Sequence, residues 1–533
     1  MIKKKEASRE RGVTIKKWHG KIPVCVVFPN SYYIGMSNLA IHILYKILND
    51  MPDVVCERCF TGEDGRFLSV ESSRPLSAFE IIFITLSFEL DYISVPRMLA
   101  GSSISVLSEE RKDGEPVVVA GGLCVTSNPE PLHQFIDLFI MGDAEATLPS
   151  FMEVYREQRG GKRADVLDQI GSFDFVYDPR KLSVSYGEHG TVESFAPSGF
   201  NVKIRRFKGK TLGASAVISN ATEFSDMFLV EGTRGCPSRC PFCLLGHSYN
   251  FTHDDLSDFK APVKDVGLIG GGVSFHPHLV SLLKDLKERG MTPHLPSLRM
   301  DAVPLSVIEL IKDDIKTLTF GIEAATERLR RSIGKPLSDE QIFDKIEAIL
   351  SIKPFNLKLY FMVGLYGESM EDVDAIGSLT KQLKHIMIRA GAKKGVVGSI
   401  TVHASPFVPK PSTPFQWLPM DDLATLKSKL ARLKKILGKV DNTFYTHESV
   451  KFSILQGILA RGDRRLSWMI RRLASCESFA KELRESPLNL NFYVLRERAE
   501  NETFPWDFIH GGAGKEMLLK RLHAYTAILS QNT

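Results

Sequence analysis

Three nearly unbroken apolar stretches constrain this chain most: residues 22–28 (IPVCVVF), 81–86 (IIFITL) and 116–120 (PVVVA). A strand with one wet face alternates, whereas a continuous apolar run belongs to a strand buried on both faces of a parallel sheet. Residues 135–141 are a further candidate. Between the runs lies helical patterning: Leu39, Ile43, Leu44, Ile47 and Leu48 share one stripe within residues 38–49. Strands alternating with helices imply right-handed crossovers and an open, Rossmann-like doubly wound sheet. Ligands of such sheets meet the carboxyl ends of the strands, here the turns at 29–37, 86–90 and 121–124.

A second alternating series begins at Met227. Its candidate strands are 227–231, 266–270, 294–298, 317–322, 357–364 and 399–403, with amphipathic segments at 278–289, 305–313 and 338–351. Six such units suggest a partial (βα)6 TIM-like barrel. The expected organisation is therefore α/β: a basic tail over 1–20, a doubly wound domain over 21–160, a connector over 161–220, a barrel over 221–435 and a helical region over 436–533. Several domains are expected of 533 residues, because single cores stop growing at about 250–300.

Composition removes whole classes of function. No run approaches the roughly 18 apolar residues of a membrane-spanning helix, and residues 1–20 are basic without an apolar stretch, so a cytoplasmic protein with no membrane partner is expected. The net charge of +5 over so long a chain permits a nucleic-acid partner without suggesting one. Eight cysteines do not make a disulfide scaffold at this length. A tight cysteine cluster in a reducing compartment then means metal or redox chemistry.

One such cluster exists. Residues 232–243 read GTRGCPSRCPFC, so Cys236, Cys240 and Cys243 follow directly on the first strand of the second series. Three thiolates in one short loop suit an iron–sulfur cluster or zinc. A [4Fe–4S] cube on three cysteines keeps one iron free for a small molecule. With His247 the same stretch reads as a Cys3His zinc site, closed to ligands. The position of the loop, at the ligand-bearing edge of an α/β series, favours the open cluster.

Cys-x3-Cys-x2-Cys at the end of a first barrel strand, with Phe242 before the last cysteine, resembles the radical S-adenosylmethionine (SAM) superfamily. The resemblance continues at the later strand ends. Gly270, Gly271 and Gly272 correspond to a Gly-Gly-Glu type motif that receives the methionine amino group, although Gly272 replaces its acid. Ser297 and Arg299 fall where ribose and carboxylate contacts lie, Glu323 at another cofactor position, and Val363 and Gly364 where backbone groups meet the adenine. The resemblance implies a radical enzyme with a [4Fe–4S] cluster and SAM, served by a low-potential electron donor such as flavodoxin or ferredoxin. It leaves the substrate and the catalytic residues beyond the cofactor site unidentified.

The first series, with PNSYYIGMSNL at 29–39, Gly121-Gly122, NPEP at 128–131 and GDAE at 142–145, resembles the cobalamin-binding domain found ahead of many radical enzymes. The tail adds RGDR at 461–464 and PWDFI at 505–509, and together these are similar to a group of cobalamin-domain radical proteins. Ser31, Tyr32, Met36, Ser37, Ser87, Gly121, Gly122, Asn128 and Glu145 are the implied cobalamin contacts. The Asp-x-His-x-x-Gly signature of base-off binders is absent. The implied activity is methylation of an unactivated carbon. Two alternatives stay open: a methylthiotransferase-like enzyme with a second cluster on Cys25, Cys56 and Cys124, and a non-catalytic, zinc-stabilised binding protein. Cys56 and Cys59 also form a Cys-x-x-Cys pair, read as incidental thiols. Arg464, Arg465, Arg471 and Arg472 read as a solvated basic stripe.

Overall fold

The computed structural model describes residues 10–62, 65–209, 211–256, 259–392, 394–476 and 478–530. Two compact units emerge. The first comprises Met1–Val230, Ile458–Tyr493 and Asn501–Gly514; the second comprises Glu231–Gly457, Val494–Glu500 and Lys515–Thr533. The tail is thus a set of returns to both units. Among the described residues no helix is long and apolar enough to cross a membrane.

In the first unit the apolar runs are strands as their pattern predicts. They are β1 (Ile22–Phe28), β2 (Val54–Phe60), β3 (Ile81–Thr85), β4 (Val117–Gly121) and β5 (Leu138–Ile140), with β6 (Val176–Tyr177) at the edge. The sheet order is β2-β1-β3-β4-β5-β6, parallel except for the last pair. Every residue of β1 is buried, as a strand covered on both faces must be. Helix α1 (Leu39–Asp50) starts where the Asn38 side chain accepts the Ala40 N–H at 2.9 Å, and it buries Leu39, Ile41, Tyr45 and Leu48. Each fully buried aliphatic of this core contributes about 1.5–3 kcal/mol. The strand order reverses between β1 and β3, which makes the turns after those strands the ligand edge.

Residues 161–220 hold more order than a connector: a helix at Arg163–Ile170 and an antiparallel pair, Ser183–Tyr186 with Val192–Ala196. The tail completes this unit. Arg464, expected on a solvated stripe, is instead largely buried and paired with Glu130 at 2.8 Å, and it contacts the Tyr177 hydroxyl at 3.1 Å. Arg465 pairs with Asp463 at 2.6 Å and Arg472 with Glu482 at 2.5 Å. Arg464 compensates the buried Glu130 carboxylate, whereas Arg471 and Arg472 are exposed, as the solvated stripe predicts.

The second unit opens within β7 (Phe228–Glu231). A hairpin of β8 (Thr233–Arg234) and β9 (Thr252–His253) brackets the cysteine loop. Parallel strands follow: β10 (Asp265–Ile269), β11 (Thr292–His294), β12 (Thr317–Glu323), β13 (Asn356–Val363), β14 (Ile400–Pro406) and β15 (Thr443–His447). The intervening helices include α2 (Leu279–Glu288), α3 (Leu305–Ile311), α4 (Asp339–Ile352), α5 (Met370–Ala392) and α6 (Leu423–Leu437). Ser338 and Gln341 form a capping box that starts α4.

The strands make a three-stranded and a four-stranded sheet, joined at one parallel bridge, Leu298 to Phe320. The curved parallel arrangement matches the barrel expectation, but the ladder thins between the sheets because β11 ends at His294. β15 lies in a region read as helical. It is an edge strand with mostly exposed side chains, so it carries no apolar run. Helix α7 (Lys515–Ser530) returns to this unit, where the Tyr525 hydroxyl donates to the Tyr366 carbonyl at 2.5 Å.

Candidate active site

The cysteine loop sits on a bed of glycines. A Cβ at Gly270, whose φ is +145°, would stand 2.2 Å from the Thr233 carbonyl oxygen. One at Gly271 would meet the Leu245 side chain at 2.2 Å, and one at Gly272 would meet Phe251 at 2.7 Å and the Gly235 carbonyl at 3.0 Å. The three glycines after β10 therefore let the loop press against the strand end. This gives the run a packing role independent of any cofactor.

Cys240 is buried, while Cys236 and Cys243 are partly exposed. Burial pushes the Cys243 thiol up, so its thiolate needs a nearby positive charge. Arg299 brings one to the loop. Its Nη1 donates to the Cys240 sulfur at 3.2 Å, its Nη2 to the Gly334 carbonyl at 2.6 Å, and its Nε to Asp301 at 2.7 Å. The Ser274 hydroxyl accepts the Arg299 N–H at 2.9 Å, which fixes the base of this arm. Ser297, two residues earlier, is exposed.

Glu323 lies at the end of β12 with φ +68°, in a bulge that re-aims its side chain. The Lys335 ammonium stands 3.5 Å from its carboxylate and donates to the Gly321 carbonyl at 2.9 Å. Lys335 belongs to the same segment as Gly334, which packs on Cys240. Buried Arg330 ties that segment down through the Leu337 carbonyl at 2.9 Å. From the tail, Arg521 donates to the Arg239 carbonyl inside the cysteine loop at 3.0 Å. Neither Lys335 nor Arg521 carries a motif, and only the fold brings them to the loop.

Val363 is fully buried, and Gly364 follows with φ +90°. Its N–H donates to the Glu368 carboxylate at 2.6 Å, and Lys429 bridges Glu368 (2.9 Å) and Asp421 (2.7 Å). Burial raises the Glu368 carboxyl to about 7. The implied adenine position is thus held rigid from below by a buried ion network.

The donor set discriminates between the two metal readings. A single zinc would hold its sulfurs about 4 Å apart. Among the described residues, no three donor atoms of Cys236, Cys240, Cys243 and His247 lie within 4.8 Å of one another. The His247 Nε2 is directed to the Cys240 carbonyl at 3.1 Å, and its buried Nδ1 has no partner. Three thiols beside a guanidinium, with the His247 Nε2 turned to the loop's own backbone, suit a multi-iron cluster. Phe242 is partly buried in the same loop.

At the switch edge of the first unit, Ser31 caps the short helix Tyr32–Met36. The Ser37 hydroxyl accepts the Glu223 N–H at 3.0 Å, and Ser87 accepts from Asn38 at 3.2 Å. Met36 turns inward, its sulfur 3.3 Å from Arg58. The Tyr32 hydroxyl donates to Glu10. Gly122 (φ +107°) follows Gly121 in a turn too close to Leu86 for a side chain, and Glu145 opens the helix Ala144–Gln158. Asn128 is committed elsewhere: its amide donates to the Ala460 and Gly462 carbonyls at 2.9 and 2.7 Å. Tyr33, Ile34 and Phe88 remain 49%, 44% and 41% exposed at this edge, an apolar surface at the strand-order reversal. The buried imidazoles His42 and His133 are bonded to the Met36 and Glu130 carbonyls.

Of the remaining cysteines of the first unit, Cys25 and Cys59 meet side chain to side chain, and Cys56 does not join them. Val24 pairs with Cys56 and Cys25 with Glu57, so Cys25 and Cys59 share one face of the sheet and Cys56 takes the other. Burial raises Cys25 and Cys56 well above the ordinary thiol range. These are packing thiols, and Cys56-x-x-Cys59 makes no redox pair.

Comparison with known proteins gives two family matches: radical SAM proteins, N-terminal, over residues 40–179, and the radical SAM superfamily over residues 230–379. The uncharacterized protein MJ0966 of Methanocaldococcus jannaschii is 29% identical over 455 residues, covering 83% of this chain and 89% of its own. The uncharacterized methyltransferase PH0819 of Pyrococcus horikoshii is 23% identical over 285 residues, 50% of this chain and 58% of its own. The cobalamin-dependent S-adenosylmethionine radical enzyme OxsB, solved with aqua-cobalamin bound, aligns at a TM-score of 0.47 and 11% identity, covering 96% of this chain and 80% of that one.

Proposed function

We propose that this chain, which belongs to the radical SAM superfamily and is an enzyme of that class, methylates an unactivated carbon with the help of cobalamin. Membership brings a [4Fe–4S] cluster and SAM. Cys236, Cys240 and Cys243 would hold the cluster. Gly270–272, Ser297, Arg299, Glu323, Val363 and Gly364 would surround SAM. When bound, a cluster with one open iron supplies low-potential electron chemistry toward a sulfonium, and cobalamin supplies methyl transfer. The observation that carries the reading is the loop of three thiols with Arg299 donating to the Cys240 sulfur.

The chain's own residues have definable tasks. Arg299 offsets thiolate charge and anchors the Gly334 segment across the loop. Lys335 holds the Gly321 carbonyl and neutralises Glu323, which keeps both in place at the strand end. Glu368 takes the Gly364 N–H and thereby fixes the turn where adenine would lie. In the first unit, exposed Tyr33, Ile34 and Phe88 offer an apolar floor for a large planar ring, with the hydroxyls of Ser31, Ser37 and Ser87 nearby. This surface and the methyltransferase name of the Pyrococcus relative support the methyl-transfer reading. A flavodoxin or ferredoxin in a reducing cytoplasm would serve as the electron donor.

The test is anaerobic reconstitution with iron and sulfide, supply of hydroxocobalamin, and addition of SAM with a reductant. About four irons per chain, release of 5′-deoxyadenosine and a co-purifying corrinoid spectrum are expected. About eight irons would instead favour a methylthiotransferase-like enzyme. No corrinoid uptake removes the cobalamin reading and leaves the radical one.

A further inference from the structure

We propose that His253, Asp255 and His278 form a binding site for a divalent cation of the zinc type, clasping the return arm of the cysteine loop to the segment that follows β10. Their donor atoms lie within 4.8 Å of one another, and among the described residues they are the one group of three that does so. The His253 Nε2 and an Asp255 carboxylate oxygen are 3.7 Å apart. Ligands of a tetrahedral zinc at roughly 2.0–2.2 Å stand about 3.4 Å apart. Small rotations of three exposed side chains therefore close the site without moving the backbone.

The frame around these side chains is rigid. His253 lies on β9, paired to Thr233 of β8, at the exit of the cysteine loop. His278 immediately precedes α2. Between them stands His276, which is buried and committed at both nitrogens. Its Nδ1 accepts the His278 N–H at 3.1 Å, so its Nε2 carries the proton and donates to the Asp254 carbonyl at 2.9 Å. One imidazole thus ties together the two segments that carry the three donors. The ring centres of His253, His276 and His278 lie 5.1 to 6.3 Å apart.

The chemistry of the set selects the ligand. Two imidazoles and a carboxylate suit zinc, cobalt or nickel better than calcium or magnesium, which take oxygen. Three protein ligands leave one tetrahedral position for water or a further group. There is room for one, since His278 also lines a cavity of about 590 Å³ with Ser274, Lys284 and Asp301.

The probe is Co²⁺, titrated anaerobically into the full chain after cluster reconstitution. The expected result is one equivalent bound, with visible d–d bands and no near-ultraviolet thiolate-to-cobalt band. In the doubly substituted His253→Ala/His278→Ala protein these bands are lost while iron content is unchanged. Asp255→Ala weakens binding about tenfold or more and serves as the second probe should the double variant lose iron. Thiolate charge-transfer bands, equal cobalt binding by the double variant, or saturation only in large excess of metal would each overturn the site.

Discussion

At the residue scale, Arg299 joins charge compensation to loop anchoring, and the two can be separated. Arg299→Ala removes a hydrogen bond to a sulfur that is a thiolate in the loaded protein. Such charged bonds contribute about 1.5–3 kcal/mol. Chelator competition should show the cluster held about 10- to 100-fold less tightly, with Arg299→Lys intermediate because lysine keeps the charge without the fork. Glu368 gives a pH signature. Its folded pKa of about 7 stands above the ordinary 4.5. Folding therefore favours the protonated form, and the stability it adds is complete below pH 4.5 and lost as pH rises through about 7. The unfolding free energy from urea titrations should fall across that window by at most about 3 kcal/mol, and Glu368→Gln should flatten the fall. Cys236, Cys240, Cys243 and Arg299 were legible because spacing and strand-end position announce them. Lys335 and Arg521 were not, since each reaches the loop through a long-range return that has no local pattern.

At the element scale, the run after β10 accounts for a departure from its family's motif. Gly272 stands where an acid is expected, yet any side chain there meets Phe251 and the Gly235 carbonyl. Gly272→Glu should therefore fail as a restoration: iron content after reconstitution should drop well below that of the unmodified chain instead of rising. A variant that binds SAM better with full iron would refute this packing argument. The strands with continuous apolar runs were readable because burial on both faces excludes polar residues from them. β15 was not readable, since Phe444 is 57% exposed and an edge strand needs no apolar pattern. The thinned ladder after β11 was also hidden, because Leu298 bridges Phe320 without extending the strand.

At the scale of the whole molecule, the tail divides its residues between the two units. The sequence showed that the region over 436–533 is helical, but not where its helices go, because Glu130 and Arg464 are separated by more than three hundred residues of chain. Truncation after Gly457 would strip Arg464 from buried Glu130, a loss of about 3–5 kcal/mol, and would remove α7 from the second unit. Soluble yield should collapse, and limited proteolysis should cut both units; survival of an intact first unit would contradict this assignment.

The interleaved tail has a consequence for synthesis. The first unit is finished only by Asn501–Gly514, and the grip of Arg521 on the cysteine loop arrives later still. On a nascent chain the cysteine loop therefore emerges well before the segments that complete either unit.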